Sequence, residues 1–174
     1  YSGKVSEYDA KPLTAALLKG LLTPILKDDV NFVNAPYIAS ARGIKVVESK
    51  TTTSEDFSSL IMCRVKSMEG ENIVSGTIFG KTLLRILRIN NFYLEAIPEG
   101  HILLIRNQDV PGVIGGITSR LGIHKVNIGR MQVGQEKEHK QNVIFLTTDG
   151  AVSDALLEEI RGLENVHMAK RIYL

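Results

Sequence analysis

The chain has 174 residues, room for one medium domain or two small ones, with the 44% hydrophobic and 23% charged content of an ordinary soluble fold. Its 21 basic and 19 acidic residues are scattered, so a net charge of +2 gives no electrostatic footprint for nucleic acid or an anionic membrane surface. No apolar run approaches the roughly 20 residues that span a bilayer, and the single Cys63 excludes an intramolecular disulfide.

A lone thiol in an apolar run fits a reducing, cytoplasmic setting, and Cys63 reads as a small buried hydrophobe with no His or Asn patterned around it. No charged-then-apolar leader opens the chain, and its first residue is Tyr1 rather than Met, as expected of a piece of something longer.

Pro12 to Leu26 predicts a helix, with Leu13, Leu17, Leu21 and Ile25 on one stripe and Leu18 and Leu22 beside it. A second helix is predicted over Ala35 to Arg42, with Asn34 as N-cap and Gly43 as the left-handed residue past its end. From there the period is strand-like: Ile44 to Glu48, Leu60 to Val65, Ile73 to Phe79 and Leu83 to Ile89, with Met68 to Asn72 as a hairpin connection. This first block reads as two helices packed on an antiparallel sheet, ending at the Pro/Gly break Ile97-Pro-Glu-Gly100.

The second block reads β-α-β-β-α-β. Its strands are His101 to Asn107, Asn127 to Val133, Asn142 to Thr148 and Val166 to Tyr173, with Gln135 to Lys140 as a charged connection. The first helix starts near Pro111 and buries Val113, Ile114, Ile117 and Leu121. The second is capped by Ser153, stapled by Val152 and Leu157, and buries Leu156, Leu157, Ile160 and Leu163. Two helices cover one face of a four-stranded sheet, so the other face is expected to be solvated or paired with a second copy. The fold class is α+β in two domains, with boundaries at 1–98 and 99–174.

Function concentrates in Asn107-Gln-Asp-Val-Pro-Gly112 and the helix it opens. A strand feeding a helix through a short polar turn leaves free N–H groups at the positive end of the helix dipole, where an anion is stabilised. With Asp109 beside that end and Asn127 expected to face the same pocket, the pattern suits a carboxylate and an ammonium together: a free amino acid. Gly115-Gly116 in the first turns is unfavourable by roughly 1 kcal/mol per Gly against Ala, which close approach by a sheet, ligand or partner helix usually offsets. A phosphate loop is the competing reading, and neither the Gly-x-Gly-x-x-Gly nor the Walker spacing is present.

Elsewhere the chemistry is sparse. His101, His124, His139 and His167 have no metal-ligand spacing. Lys81, Arg85 and Arg88 read first as solvated edge charges, with an anion site at Lys81 and Arg85 as the second reading. No Ser-His-Asp, Cys-His or paired-carboxylate arrangement is present, so the chain reads as a binding module without a catalytic residue.

Ile105 to Ile114 and Val126-Asn127-Ile128 resemble the ACT domain, the amino-acid-sensing βαββαβ, ferredoxin-like module of metabolic enzymes. Phe32 to Gly43, Val74 to Gly80 and Ile89-Asn90 look like the intervening domain of long, type I D-3-phosphoglycerate dehydrogenases. The resemblance covers nearly the whole chain. It implies a full enzyme that oxidises 3-phosphoglycerate with NAD in the first step of serine synthesis, the NAD lying outside this fragment. It also implies inhibition by L-serine bound between paired ACT domains, in a homodimer or homotetramer. The implied serine contacts fall on Asn107, Asp109 and Asn127, with Pro111, Gly112 and Val113 at the helix start. A phosphorylated metabolite is implied as a second ligand through a basic pair; Arg85 matches one position and Glu95 stands at the other. Two rivals share parts of this reading: the regulatory portion of an iron–sulfur L-serine dehydratase, and a scaffold that oligomerises without sensing.

Overall fold

The computed structural model describes residues 1–26, 29–53, 57–136 and 138–174. The chain divides into two compact units, 1–63 and 64–174.

In the first unit, β1 (Ser2–Gly3) pairs antiparallel with the start of β2 (Ser59–Ser67). Helix α1 (Lys11–Leu26) and helix α2 (Ala35–Ala41) pack on each other. Leu18 and Leu22 bury against Ala35 and Ala39, whose small side chains admit close helix approach, with Val30 closing the cluster. The stripe predicted for α1 is therefore displaced: Leu17, Leu21 and Ile25 are exposed, and the flanking Leu18 and Leu22 form the core. Apolar residues surround this helix, so periodicity alone does not select its buried side.

The cap of α2 is also corrected. Asn34 stands at the N-cap without capping; the Asn31 carboxamide oxygen accepts from the N–H groups of Val33 and Asn34, both at 2.9 Å. Gly43 has the expected left-handed backbone, φ 73°, and the Ile44 N–H returns to the Ala39 carbonyl at 2.9 Å. The strand predicted over Ile44 to Glu48 does not form. Ile44 packs against the helical core instead, and the nearest ladder contact is a single parallel bridge from Thr51 to Ser2. The Ser/Thr-containing turn expected after it includes residues 54–56, which lie outside the described residues.

Along β2 the chain passes into the second unit. There β4 (Leu83–Ile89) matches its predicted strand, and β3 (Gly70–Phe79) contains the predicted Ile73 to Phe79 and starts three residues earlier. The connection expected over Met68 to Asn72 is shortened to the turn Met68-Glu69, with Gly70 to Asn72 taken into β3. Strand β5 (Phe92–Ala96) was not anticipated; it pairs with β4 through the two-residue turn Asn90-Asn91, Asn90 taking φ 52°. These strands make a five-stranded sheet ordered β1-β2-β3-β4-β5.

The βαββαβ block forms as predicted: β6 (His101–Gln108), α3 (Val113–Ile123), β7 (Ile128–Glu136), β8 (Gln141–Thr148), α4 (Asp154–Arg161) and β9 (Val166–Tyr173). The sheet order is β7-β8-β6-β9 with antiparallel neighbours, so β6 and β7 run parallel with β8 between them. Lys137, in the charged connection, lies outside the described residues. Ser153 caps α4, its hydroxyl oxygen accepting from the Leu156 N–H at 3.2 Å, and Val152 and Leu157 are both buried there. Leu103, Ile105, Ile144 and Leu146 of the sheet meet Val113, Ile117 and Leu121 of α3 and Leu156, Leu157 and Ile160 of α4. Each such buried aliphatic contributes about 1.5–3 kcal/mol.

The other sheet face corrects an expectation. Ile102 and Phe145 are covered by the chain itself, through Ala96 of β5 with Ile86, Ile89 and Leu94 around it. Gly134 of β7 is the point of closest approach: a Cβ there would stand 2.7 Å from the Tyr93 carbonyl oxygen and 3.2 Å from the Phe92 Cβ. The absence of a side chain at 134 is what lets β5 lie on this face.

Candidate functional site

Strand β6 ends in a polar turn held from three sides. The Asp109 N–H donates to the Lys140 carbonyl at 2.7 Å, the Gln108 N–H to the Asn165 carbonyl at 2.8 Å, and the Val110 N–H to the Gln108 carbonyl at 3.0 Å. The Asp109 carboxylate accepts from Asn142 Nδ2 at 2.9 Å and, at 3.5 Å, from Gln135 Nε2. Two strands thus fix a carboxylate beside the start of α3.

Gly112 forms the N-cap of α3 with φ 91°, a left-handed backbone suited to glycine, and no side chain caps the helix. The first helical hydrogen bond of this turn runs from the Gly116 N–H to the Gly112 carbonyl at 2.8 Å. Among the described residues, nothing takes up the N–H groups of Val113 and Ile114. An exposed anchor carboxylate next to free helix-start donors can hold the ammonium and the carboxylate of one small ligand.

The predicted site residues separate into two groups. Asn107, Asp109, Pro111, Gly112 and Val113 lie together at this end: Asn107 is buried, Asp109, Pro111 and Gly112 are exposed, and the Val113 side chain points into the core. Asn127 does not join them within one chain. It precedes β7, whose first residue Ile128 aligns through Thr148 with His101, at the far end of the sheet from Asp109. At about 3.3 Å per strand residue the separation is roughly 25–30 Å. There Asn127 exchanges bonds with Asp149, its N–H to the carboxylate at 3.1 Å and its carbonyl from the Asp149 N–H at 3.2 Å. The reason is topological: β6 and β7 run parallel, so the loops entering and leaving α3 sit at opposite ends. Asn142, absent from the predicted set, does reach Asp109. Its signal was a lone Asn opening an otherwise apolar strand.

The expectation of a close neighbour at the double glycine is not met inside one chain. A Cβ on Gly115 would meet nothing within 4 Å, and one on Gly116 only the Leu163 side chain at 3.9 Å. The spacing from Gly112 onward is not that of a dinucleotide-binding turn.

Lys81 and Arg85 are not brought together. Lys81 is exposed in the β3–β4 turn. Arg85 borders a cavity of about 160 Å3 shared with Glu95, Arg130, Gln132 and Thr147. Its Nε donates to Glu95 at 3.2 Å, and Arg130 pairs with Glu99 at 2.7 Å. Each guanidinium is already paired with a carboxylate, which offsets its charge toward an added anion. A wider cleft of about 420 Å3 in the first unit is lined by Thr14, Leu18, Pro36, Ser40, Ile44 and Glu48.

Among the described residues, Glu136, Glu138 and His139 come within 4.8 Å of one another. Glu136 already accepts from the N–H groups of Glu138 and His139, at 2.8 and 2.9 Å, and lies 3.0 Å from the His139 ring. These contacts make it a turn anchor. Burial pushes the Cys63 thiol pKa up. No helix among the described residues is long and apolar enough to cross a membrane.

Comparison with known proteins adds to this geometry. Residues 1–90 match the family described as the D-3-phosphoglycerate dehydrogenase intervening domain, and residues 101–165 match the ACT domain. A D-3-phosphoglycerate dehydrogenase of Synechocystis sp. is 34% identical over 173 residues, covering 99% of this chain and 31% of the relative. That of Methanocaldococcus jannaschii is 35% identical, covering 95% and 31%, and that of Bacillus subtilis 30% identical, covering 100% and 33%. The chain spans about a third of the length of these curated relatives.

Proposed function

Because the chain belongs to the D-3-phosphoglycerate dehydrogenase family, we propose that it is the regulatory part of such an enzyme and that its ACT domain senses L-serine. In this reading residues 1–98 are the intervening domain and 99–174 the ACT domain. The NAD-dependent oxidation of 3-phosphoglycerate, first step of serine synthesis, belongs to the part of the enzyme outside this chain, in the cytoplasm. The observation that carries the reading is the open start of α3 beside the anchored Asp109.

Asn127 enters the same site from a second copy. Strand β7 is an edge of its sheet, and edge N–H and C=O groups are available to a further strand. Antiparallel pairing of β7 with its own copy is self-complementary, as a twofold interface requires. It lays the Asn127 end of one copy along the Gln135 end of the other, where Gln135 approaches Asp109. Each of two equivalent sites then draws the helix start, Asn107 and Asp109 from one chain and Asn127 from its partner. Serine binding there favours one relative orientation of the pair, and the bias passes to the catalytic parts to the extent that affinity differs between orientations.

Calorimetric titration of L-serine tests the reading. Asn127→Ala is expected to weaken binding while leaving the dimer intact by sedimentation. No heat at millimolar serine with an intact dimer makes the chain an oligomerisation scaffold; equal binding by variant and parent removes Asn127 from the site. A phosphorylated metabolite at Arg85 has to bind beside or in place of Glu95 against its negative charge, and titration with inorganic phosphate at low ionic strength measures whether one does.

A further inference from the structure

Strand β1 is two residues long, between two flanks that outrun it. On one side it pairs antiparallel with β2, Ser2 opposite Leu60 and Gly3 opposite Ser59. On the other it runs parallel to the segment that ends at Thr51. There the Tyr1 nitrogen donates to the Ser49 carbonyl, the Thr51 N–H to the Tyr1 carbonyl and the Gly3 N–H to the Thr51 carbonyl, each at 3.0 Å. Both flanks continue past Tyr1. Residues 44–50 carry no turn or bend, and β2 goes on through Ile61, Met62 and Cys63. Among the described residues, nothing takes up the Lys45 carbonyl, either backbone group of Val47 or the Ser49 N–H. Strand β1 thus stops at the mouth of a slot one strand wide.

One face of this slot borders the open cleft of the first unit. Ile44 packs in the core of α1 and α2, and Val46 and Glu48 line the cleft of about 420 Å3 with Thr14, Leu18 and Pro36. Val47, between them, is 72% exposed, which is the alternation of a strand. Tyr1 faces the helices as well, its hydroxyl 2.7 Å from Thr14 Oγ1.

We infer that the four residues preceding Tyr1 in the longer polypeptide prolong β1 through this slot, and that the side chains of the second and fourth of them fill the cleft beside α1 and α2. The inference rests on the reading of the chain as part of a longer enzyme; the chain covers 31% of its Synechocystis relative. Alternate residues of a strand repeat both facing and bonding. The second residue before Tyr1 therefore bonds to the Val47 carbonyl and the Ser49 N–H, and the fourth to the Lys45 carbonyl and the Val47 N–H. Both face the helices as Tyr1 does. The cleft offers them Ala15, Leu18, Pro36, Ile44 and Val46, so both are expected to be apolar. The lead-in from the rest of the enzyme is then held in the sheet and does not swing as a free linker.

The β2 side fixes the register. Continuing the pairing of Ser2 with Leu60 places Tyr1 opposite Ile61 and the second residue before it opposite Cys63. The Lys4 N–H donates to the Ser58 carbonyl at 2.8 Å, so residues an even number of places from Lys4 bond to β2. The pair at Cys63 is one without ladder hydrogen bonds, its Cα atoms about 4.5 Å apart, within reach of a disulfide.

The test uses the full-length polypeptide with a cysteine at the second residue before Tyr1. Mild oxidation is expected to join it to Cys63, giving one cross-linked peptide by mass spectrometry that Cys63→Ser abolishes. A cysteine at the third residue before Tyr1 faces the other side of the sheet and is expected not to link. In the unmodified polypeptide, amide exchange at Val47 and Ser49 is expected to be at least about tenfold slower than at Val46 and Glu48, whose N–H groups point away from the slot. Linking from the third residue and not the second, or equal exchange at the four amides, overturns the inference. So do charged residues at both the second and fourth positions. Protection that disappears on dilution assigns the slot to a second copy and overturns it too. These outcomes leave the regulatory reading standing; a full-length polypeptide with only an initiator Met before Tyr1 overturns both.

Discussion

Gly134→Ala adds one methyl group where β7 meets β5. The new Cβ would lie 2.7 Å from the Tyr93 carbonyl oxygen, 3.2 Å from the Phe92 Cβ and 3.3 Å from the Tyr93 carbonyl carbon. Optimal carbon contacts are about 3.5–4.0 Å, and the obstructing atoms are backbone, so no rotamer change relieves the clash. Strand β5 must retreat, loosening Phe92 and Ala96, which are 6% and 0% exposed. Overpacking of this kind destabilises by about 1–3 kcal/mol. A value near 2 kcal/mol lowers the melting temperature by roughly 4–8 °C in a chain of this size. Gly115→Ala is the matched control, the same chemical change on a helix with open space around the added carbon. It is expected to raise stability by up to about 1 kcal/mol. Thermal unfolding followed by circular dichroism, with urea midpoints, reads both. Gly134→Ala melting within about 1 °C of the parent, or moving in the same direction as Gly115→Ala, refutes the close packing of β5 on this sheet.

Ser153→Ala removes the cap that accepts from the Leu156 N–H and is expected to destabilise by about 1 kcal/mol in urea denaturation; replacement by Gly should lose only a few tenths. Cys63, with its thiol pKa raised by burial, holds less thiolate at neutral pH than the unfolded chain. Its reaction with a disulfide reagent is therefore expected to be slow in the native protein and to accelerate on denaturation, with equal rates in both states counting against the assignment.

Much of the second unit was legible because its signals are local. The periods of β6, α3, β8 and α4, the Ser153 cap and the Val152–Leu157 staple report on neighbours a few residues away. Strand β5 escaped because Phe92 to Ala96 is short and carries Glu95; the Asn90-Asn91 pair between two apolar runs was the hairpin signal that would have found it. Ile44 to Glu48 has strand composition but no strand to pair with, and Ile44 is claimed by the helical core. The buried side of α1 depends on where α2 lies, which its own residues do not state. The site was half legible. The turn from Asn107 to Gly112 announces itself, while the position of Asn127 depends on the parallel sense of β6 and β7 and on a sheet order that periodicity leaves open.

The hairpin of β4 and β5 has a practical side. Ile102 and Phe145, on the face away from the helices, rely on Ala96 and its neighbours for shelter from water. Excising residues 99–174 as a stand-alone module would strip that shelter and bare a greasy strip, inviting aggregation. A cut in the turn between β2 and β3 keeps β3 to β5 and the four-stranded sheet in one piece. For anyone grafting this unit onto another protein, the transferable cassette starts three strands earlier than its βαββαβ signature suggests.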